Sequence, residues 1–292
     1  MLNDFRQSLK GKTVVVTGAG QGIGRVVALA VAAVGANVIL LSRTEKDLAA
    51  LQKELYGIGN GDGKKHEYHA LDVSDFSAMQ NLSRTLASTH KNIDGLVNCA
   101  GILGPVGRLD TIDLQAFLRT MQINLMGTVH ACALFSSLMQ NRHAKIVNFS
   151  GGGAIGALAN YSAYACSKAA VVRLTENLSI EFASLGIEVN AVSPGFVATR
   201  IHQGTLQAGE KAGKDYLEST KKRLESGSVP PEKAAELVVW LLSNESNGVN
   251  GKLISAPFDD WKNSDFVQAL KEKKNLGTLR RIDDRYFSEK VV

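Results

Sequence analysis

Short runs of apolar residues alternate along this chain with longer stretches whose apolar positions recur at helical spacing. The runs are Thr13–Thr17, Asn37–Ser42, His66–Leu71, Ile93–Asn98, Lys145–Ser150, Ile187–Ser193 and Lys252–Ser255. Amphipathic stretches at 25–34, 45–56, 75–89, 113–140, 161–184 and 232–243 lie between them. That alternation predicts βαβ units, with a parallel sheet of about seven strands, helices on both faces and right-handed crossovers. No internal repeat and no linker interrupts it. Residues 1–261 therefore read as one doubly wound α/β domain, and 262–292 as a C-terminal tail.

Composition narrows the function classes. A chain of 292 residues with 45% hydrophobic content can build one large core. The net charge of +5 is scattered, with short clusters at Lys221-Lys222-Arg223 and Lys271 to Lys274. A nucleic-acid partner would call for a basic stripe interleaved with aromatics, so none is expected. Cys99, Cys132 and Cys166 lack metal spacing and fall in apolar stretches, which predicts three buried free thiols and no metal. Residues 1–10 hold no apolar leader core, and no run approaches the ~18 apolar residues of a membrane helix. The expectation is a cytoplasmic protein away from membranes.

Candidate chemistry begins at Thr17-Gly18-Ala19-Gly20-Gln21-Gly22-Ile23-Gly24, between the first apolar run and the first helical stretch. Gly18 can take a backbone conformation closed to other residues. Gly22 and Gly24 lack a β-carbon, so a pyrophosphate can approach and the helix can pack on the strand. The helix N-terminus then offers free N–H groups and positive dipole to the anion. A tight turn without a ligand is the alternative. Nineteen residues past Gly24, the second run ends in Ser42-Arg43, where an NAD-selective site would hold an acid. Arg43 cannot accept a ribose hydroxyl's hydrogen, but it can pair with a 2′-phosphate through two N–H donors. NADP is expected over NAD. Gln21, in place of a basic residue inside the turn, keeps NAD open.

Further along, Asp72 of Asp72-Val73 can accept an adenine amino hydrogen, while Asp72 or Ser74 can equally cap the next helix. In Asn98-Cys99-Ala100-Gly101, small residues let a cofactor ribose lie on the backbone, and Asn98 can tie neighbouring strands. Gly57 to Gly63 follows a helix and precedes a strand, so it reads as a surface loop. Asn124 lies inside an apolar helical stretch and must pair its amide. Tyr164-Ala165-Cys166-Ser167-Lys168 sets a phenol and an ammonium on one helix face. An adjacent cation favours phenolate and should lower the tyrosine pKa from near ~10. Such a tyrosine can protonate a carbonyl oxygen or deprotonate an alcohol. Tyr161 lacks a lysine partner. Ser193-Pro194-Gly195-Phe196-Val197-Ala198-Thr199 makes a turn suited to run along a flat ring.

Together these motifs resemble the short-chain dehydrogenase/reductase family over residues 10 to about 256. The resemblance implies a Rossmann-like fold and hydride transfer between NADP(H) and a carbonyl/secondary-alcohol substrate. It implies Tyr164 as acid/base, Lys168 on the nicotinamide ribose, and Asn124 holding a relay water. It places Asp72 and Val73 beside adenine, and Gly18, Gly20, Gln21, Gly22, Ile23 and Gly24 under the phosphates. Ser42 and Arg43 fall at the 2′ position, Asn98, Ala100 and Gly101 along the ribose. Pro194, Gly195 and Val197 flank the nicotinamide, with Thr199 on its carboxamide or the pyrophosphate. A lid at about 200–228 is implied, in which His202, Gln203, Leu206 and Tyr216 set specificity and Gly204, Gly209 and Gly213 act as hinges. A homotetramer or homodimer is the family's usual state.

Three departures stand out. Cys99 replaces a second asparagine. The serine that holds the substrate oxygen usually lies thirteen residues before the tyrosine, which here is Gly151. Ser150 is one residue early, so Ser150, the N–H groups of the following glycines, or another side chain must polarise the oxygen. The last strand lacks the usual ending, and the tail offers Trp261, Phe266, Tyr286 and Phe287 as anchors to its own lid or a neighbouring subunit, or stays partly disordered. Two rival functions remain: an NAD-dependent version, and a cofactor-binding sensor or scaffold without turnover.

Overall fold

The computed structural model describes residues 5–58, 65–140 and 143–281. Seven strands, β1 (Thr13–Thr17), β2 (Asn37–Ser42), β3 (Glu67–Ala70), β4 (Gly95–Asn98), β5 (Ala144–Phe149), β6 (Ile187–Ser193) and β7 (Leu253–Ser255), form one sheet. All neighbours are parallel, in the order β3-β2-β1-β4-β5-β6-β7. Alternate side chains enter two separate cores. Val14, Val16, Val38, Leu40 and Val97 face one, while Val15, Ile39, Leu41 and Leu96 face the other. Burial on both faces is why these strands read as unbroken apolar runs.

The helices are α1 (Gly22–Ala33), α2 (Glu45–Ile58), α3 (Phe76–Thr89), α4 (Leu114–Met121), α5 (Gly127–Phe135), α6 (Ser162–Glu181), α7 (Ile201–Ala208), α8 (Lys214–Ser226), α9 (Pro231–Leu242) and α10 (Ser264–Glu272). Residues of α1, α2, α9 and α10 fill the first core, and residues of α3, α5 and α6 the second. The predicted helix over 113–140 is broken by a π turn, Gln122–Met126, that joins α4 to α5. Asp75 caps α3, its side chain accepting from the Ala78 N–H at 3.0 Å. Neither Asp72 nor Ser74 does. Asp72 instead accepts from the backbone N–H of Ser74 at 2.9 Å, two residues on.

The thiol expectation needs correction. Cys132 is buried, Cys99 is half-buried and Cys166 is exposed on α6. Its neighbours in sequence are apolar, but helical geometry turns position 166 outward while Ala163 and Ser167 turn in. Gly57 and Ile58 end α2, and the rest of that glycine loop, with Tyr286 and Phe287, lies outside the described residues.

The tail through Arg281 packs on its own domain. Leu270 is 1% exposed within the first core, beside Phe266, Val267 and Leu276. Trp261 lies 5.8 Å from Trp240 of α9. Buried Lys252 donates to the carbonyls of Lys273, Lys274 and Leu276 at 2.7, 3.3 and 2.9 Å. A cation on the last carbonyls of a helix meets the negative end of its dipole. Leu270→Ala is therefore expected to cost about 2–5 kcal/mol, the range for a truncated core leucine. A denaturant midpoint unchanged from wild type would show the tail to be a loose extension.

Candidate active site

The loops that leave β1 and β4 touch. A Cβ at Gly18 (φ +67°) would lie 2.8 Å from the Ala100 nitrogen, and one at Gly24 would lie 2.3 Å from the Gly18 oxygen. A Cβ at Gly20 would meet Ser42 Oγ at 2.8 Å. At Gly18 and Gly24 the obstacle is backbone, so only glycine fits; at Gly20 the serine hydroxyl would have to move. The chain runs one way from β1 to β3 and the other way from β4 to β7, so a crevice opens where the order reverses, at the strands' carboxyl ends.

That crevice is lined by Gly18, Gly20, Gln21, Gly22, Ile23 and Gly24 of the turn, and by Ser42, Arg43, Asp72, Val73, Ala100 and Gly101 from the next strand ends. Ser150, Tyr164, Lys168, Pro194 and Thr199 complete it. The first turn of α1 carries no acid, which leaves its N–H groups to an anion. Ser42 Oγ is buried without a partner among the described residues. Arg43 is exposed, and its guanidinium pairs with no described residue. Burial acts to raise the Asp72 pKa, but hydrogen bonds from Ser74 and the Arg119 guanidinium outweigh it and hold the carboxyl below the usual range.

Three expected cofactor residues fall elsewhere. Asn98 lies beneath the crevice, donating to Asn148 Oδ1 at 2.9 Å and Cys132 Sγ at 3.3 Å. Asn148 in turn donates to Thr175 Oγ1 at 2.9 Å, so this pair ties β4 and β5 to α6. Gly195 and Val197 line a second cavity of ≈ 900 Å³ on the far side of Tyr164. The crevice also includes Asp47 and Arg200, which sequence reasoning missed. Asp47 stands four residues past Arg43, and Arg200 adjoins Thr199; proximity to flagged positions was the available signal.

Asn124 is fully buried and acts as a clamp. Its Oδ1 accepts from the Ile102 N–H at 2.8 Å, and its Nδ2 donates to the Ile102 carbonyl at 2.9 Å and to Ser167 Oγ at 3.0 Å. Ser167 donates onward to the Tyr164 carbonyl at 2.7 Å. The β4 loop, the π turn and α6 are thus held in one register around Tyr164 and Lys168.

Lys168 reaches across to donate to the Phe149 carbonyl at 2.8 Å, with its ammonium 5.9 Å from the Tyr164 ring centroid. The expected lowering of the tyrosine pKa is reversed here. Burial pushes the Tyr164 phenol up to about 12 and the Lys168 ammonium down to about 8. Loss of solvation sets both directions, with Tyr216 and Cys99 adding to the rise of the phenol. The displaced serine also has a geometric cause. A Cβ at Gly151 would stand 2.5 Å from Tyr164 Oη, so a serine there would displace the phenol. Ser150 is buried, and its Oγ donates a long 3.4 Å bond to the Lys168 carbonyl.

The second cavity takes Gly151, Gly152 and Gly153 from the loop after β5, and His202, Tyr216 and Arg223 from the segment expected as a lid. Gln203 and Leu206, also expected there, are exposed and off the cavity. Gly277 and Thr278 of the tail supply part of the wall. Tyr161 is fully buried and donates to Thr205 Oγ1 at 3.0 Å, pinning α7 to the body.

A glycine turn at the switch point of a doubly wound parallel sheet is the architecture of dinucleotide-binding proteins. Residues 12–209 match the family described as short chain dehydrogenase, and the chain belongs to it. It is thus an oxidoreductase of a nicotinamide-dependent family. Over 253 residues it is 32% identical to D-threitol dehydrogenase of Mycolicibacterium smegmatis, covering 85% of this chain and 92% of that one. Over 250 residues it is 33% identical to the 3-oxoacyl-(acyl-carrier-protein) reductase of Thermotoga maritima, covering 84% and 96%. A solved Beutenbergia cavernae structure, provisionally described as an NAD(P)-dependent gluconate 5-dehydrogenase and carrying NADP at low occupancy, superimposes with a TM-score of 0.74. It is 30% identical and covers 86% of this chain and 96% of that one.

The Lys168 environment has a measurable consequence. Below pH 8 the ammonium is charged in both the folded and the unfolded chain, and its burial penalty is fully present. Between about 8 and 10.5 the folded chain has released a proton that the unfolded chain keeps, so this group adds stability as pH rises. The stability advantage of Lys168→Met over wild type should therefore shrink across that window in urea titrations. A constant difference would place the lysine in solvent.

Proposed function

We propose that this chain moves a hydride between NADP(H) and a carbonyl/secondary-alcohol pair, with Tyr164 as the acid/base. The observation that carries this reading is the position of Tyr164, which lines both the glycine-turn crevice and the larger cavity. A group standing between a nucleotide and a substrate serves both.

The unpartnered Ser42 hydroxyl, the β-carbon-free turn and the free Arg43 suit the adenosine ribose and its 2′-phosphate. When bound, the nicotinamide cofactor supplies or accepts the hydride. In the reductive direction the neutral Tyr164 phenol donates its proton to the carbonyl oxygen, and the Lys168 ammonium stabilises the phenolate left behind. The Phe149 carbonyl keeps that ammonium aimed. Lys168 also holds the nicotinamide ribose, and Asn124 orients both groups through Ser167 while organising the proton relay. Ser150, which shares the crevice wall with them, polarises the substrate oxygen. Relatives named for a polyol and for a 3-oxoacyl group support carbonyl/alcohol chemistry at such a site.

A second reading has one observation in its favour. The Asp47 side chain borders Gly20 beside Ser42, where a carboxylate can accept a ribose hydroxyl's hydrogen and select NAD. Fluorescence titration with NADPH and NADH separates the two. NADPH is expected to bind at least about tenfold tighter, and Arg43→Gln to erase the difference. A preference for NADH overturns the 2′-phosphate assignment alone.

Tyr164→Phe is expected to slow NADPH-dependent turnover by about 10²–10⁴-fold while NADPH still binds. Equal turnover without the phenol would sink the acid/base assignment. Cofactor binding without any turnover in wild type would favour a sensor or scaffold.

A further inference from the structure

The basic triplet at 221–223 plays no part in the function above, yet one member borders the larger cavity. Lys221, Lys222 and Arg223 are all exposed, and of the three Arg223 lines the larger cavity. Its guanidinium lies 5.5 Å from the centroid of the Phe196 ring. The His202 ring stacks on that same phenylalanine at 3.9 Å, 25° from parallel. A cation over an aromatic ring is held in place by the ring's negative face, and its planar N–H fork stays free for a ligand.

Arg223 has no hydrogen bond or ion pair to its side chain from any described residue. Asp259 lines the same cavity, but it makes no ion pair with Arg223, and its carboxylate accepts from the Ser255 N–H at 2.7 Å. His202 does not add a second charge near pH 7. Burial and the nearby Arg223 keep its pKa below the ordinary histidine value, against a backbone hydrogen bond at Val197 that acts to raise it. Around this cation the cavity is mostly apolar, with Leu103, Ile155, Leu158, Val229 and Phe258 on its walls.

We infer that Arg223 is the anchor for a carboxylate on the substrate, and that the substrate class is an oxo or hydroxy acid with an apolar chain. One unpaired fork beside a neutral histidine suits a single negative charge, and a dianionic phosphate would call for a second cation. The placement of the reacting oxygen at Tyr164 rests on the function proposed above. The anchor itself does not.

The test uses two arms on the full chain. Calorimetry compares hexanoate with its neutral counterpart hexanamide, with and without NADPH, on wild type, Arg223→Gln, Arg223→Lys and Lys222→Gln. Hexanoate is expected to bind about tenfold tighter or more, the size of a charge-assisted hydrogen bond. Arg223→Gln should bring that ratio to about one, Arg223→Lys should retain part of it, and Lys222→Gln should leave it intact. Equal binding in wild type, or a ratio that survives Arg223→Gln, overturns the anchor.

The second arm follows NADPH oxidation with 5-oxohexanoate and its methyl ester. A kcat/KM ratio favouring the acid, carried by KM and lost in Arg223→Gln, supports the anchor; equal values overturn it. If neither ketone is reduced while the hexanoate ratio holds, the hydride-transfer reading fails and the anion anchor stands.

Discussion

Two strand-end loops meet at a place where no side chain can exist. The backbone at Gly18 approaches that at Ala100 so closely that a single β-carbon would force them apart. This contact holds β1 and β4 side by side exactly where the chain reverses its direction of travel across the sheet. The crevice above it follows, because the loops on either side must diverge. Gly24 continues the constraint by letting α1 start directly over the turn, and the helix dipole then points into the crevice. Cofactor cradle, sheet order and helix packing therefore share one steric requirement.

A second constraint concerns solvation. Tyr164 and Lys168 sit where neither charged form is well hydrated, and each is pushed toward its neutral form. The lysine keeps one strong acceptor, the Phe149 carbonyl, and the Asn124–Ser167 clamp fixes the helix that carries both groups. Such a site is poised for the arrival of negative charge. An anion entering the crevice would favour the ammonium, and the ammonium would then favour phenolate formation during proton transfer.

Much of the fold was legible because parallel strands and amphipathic crossovers leave opposite signatures in the pattern of apolar residues. Strand bounds shifted by a residue or two at β3, β4, β5 and β7, where strand pairing and apolar run do not begin or end together. The π turn at Gln122–Met126 was invisible, since a one-residue register change leaves apolar content unaltered. Motif residues of the crevice were legible where a backbone constraint demanded a type, as at Gly18 and Gly24. Asp47, Arg200 and Arg223 were not, because an exposed or half-exposed charge carries no pattern until tertiary structure aims it. Asn98 was legible as a tie between strands, and its amide does bond to Asn148 on the neighbouring strand.

The tail shows how stability and specificity become joined. Lys252 captures carbonyls of the turn just past α10, and Glu176 of α6 accepts from Arg173, Arg280 and the Leu279 N–H. These are buried charges of opposite sign, and removing the tail would take the carbonyl partners from Lys252 and leave Glu176 with Arg173. Between their two attachment points run Gly277 and Thr278, which wall the cavity facing Tyr164. Gly277 also accepts from the Leu253 N–H at 2.7 Å, extending the hydrogen bonding of β7 outward. The segment that completes the substrate wall is thus locked by the same contacts that complete the core. Its sequence can change the pocket only within limits set by those anchors.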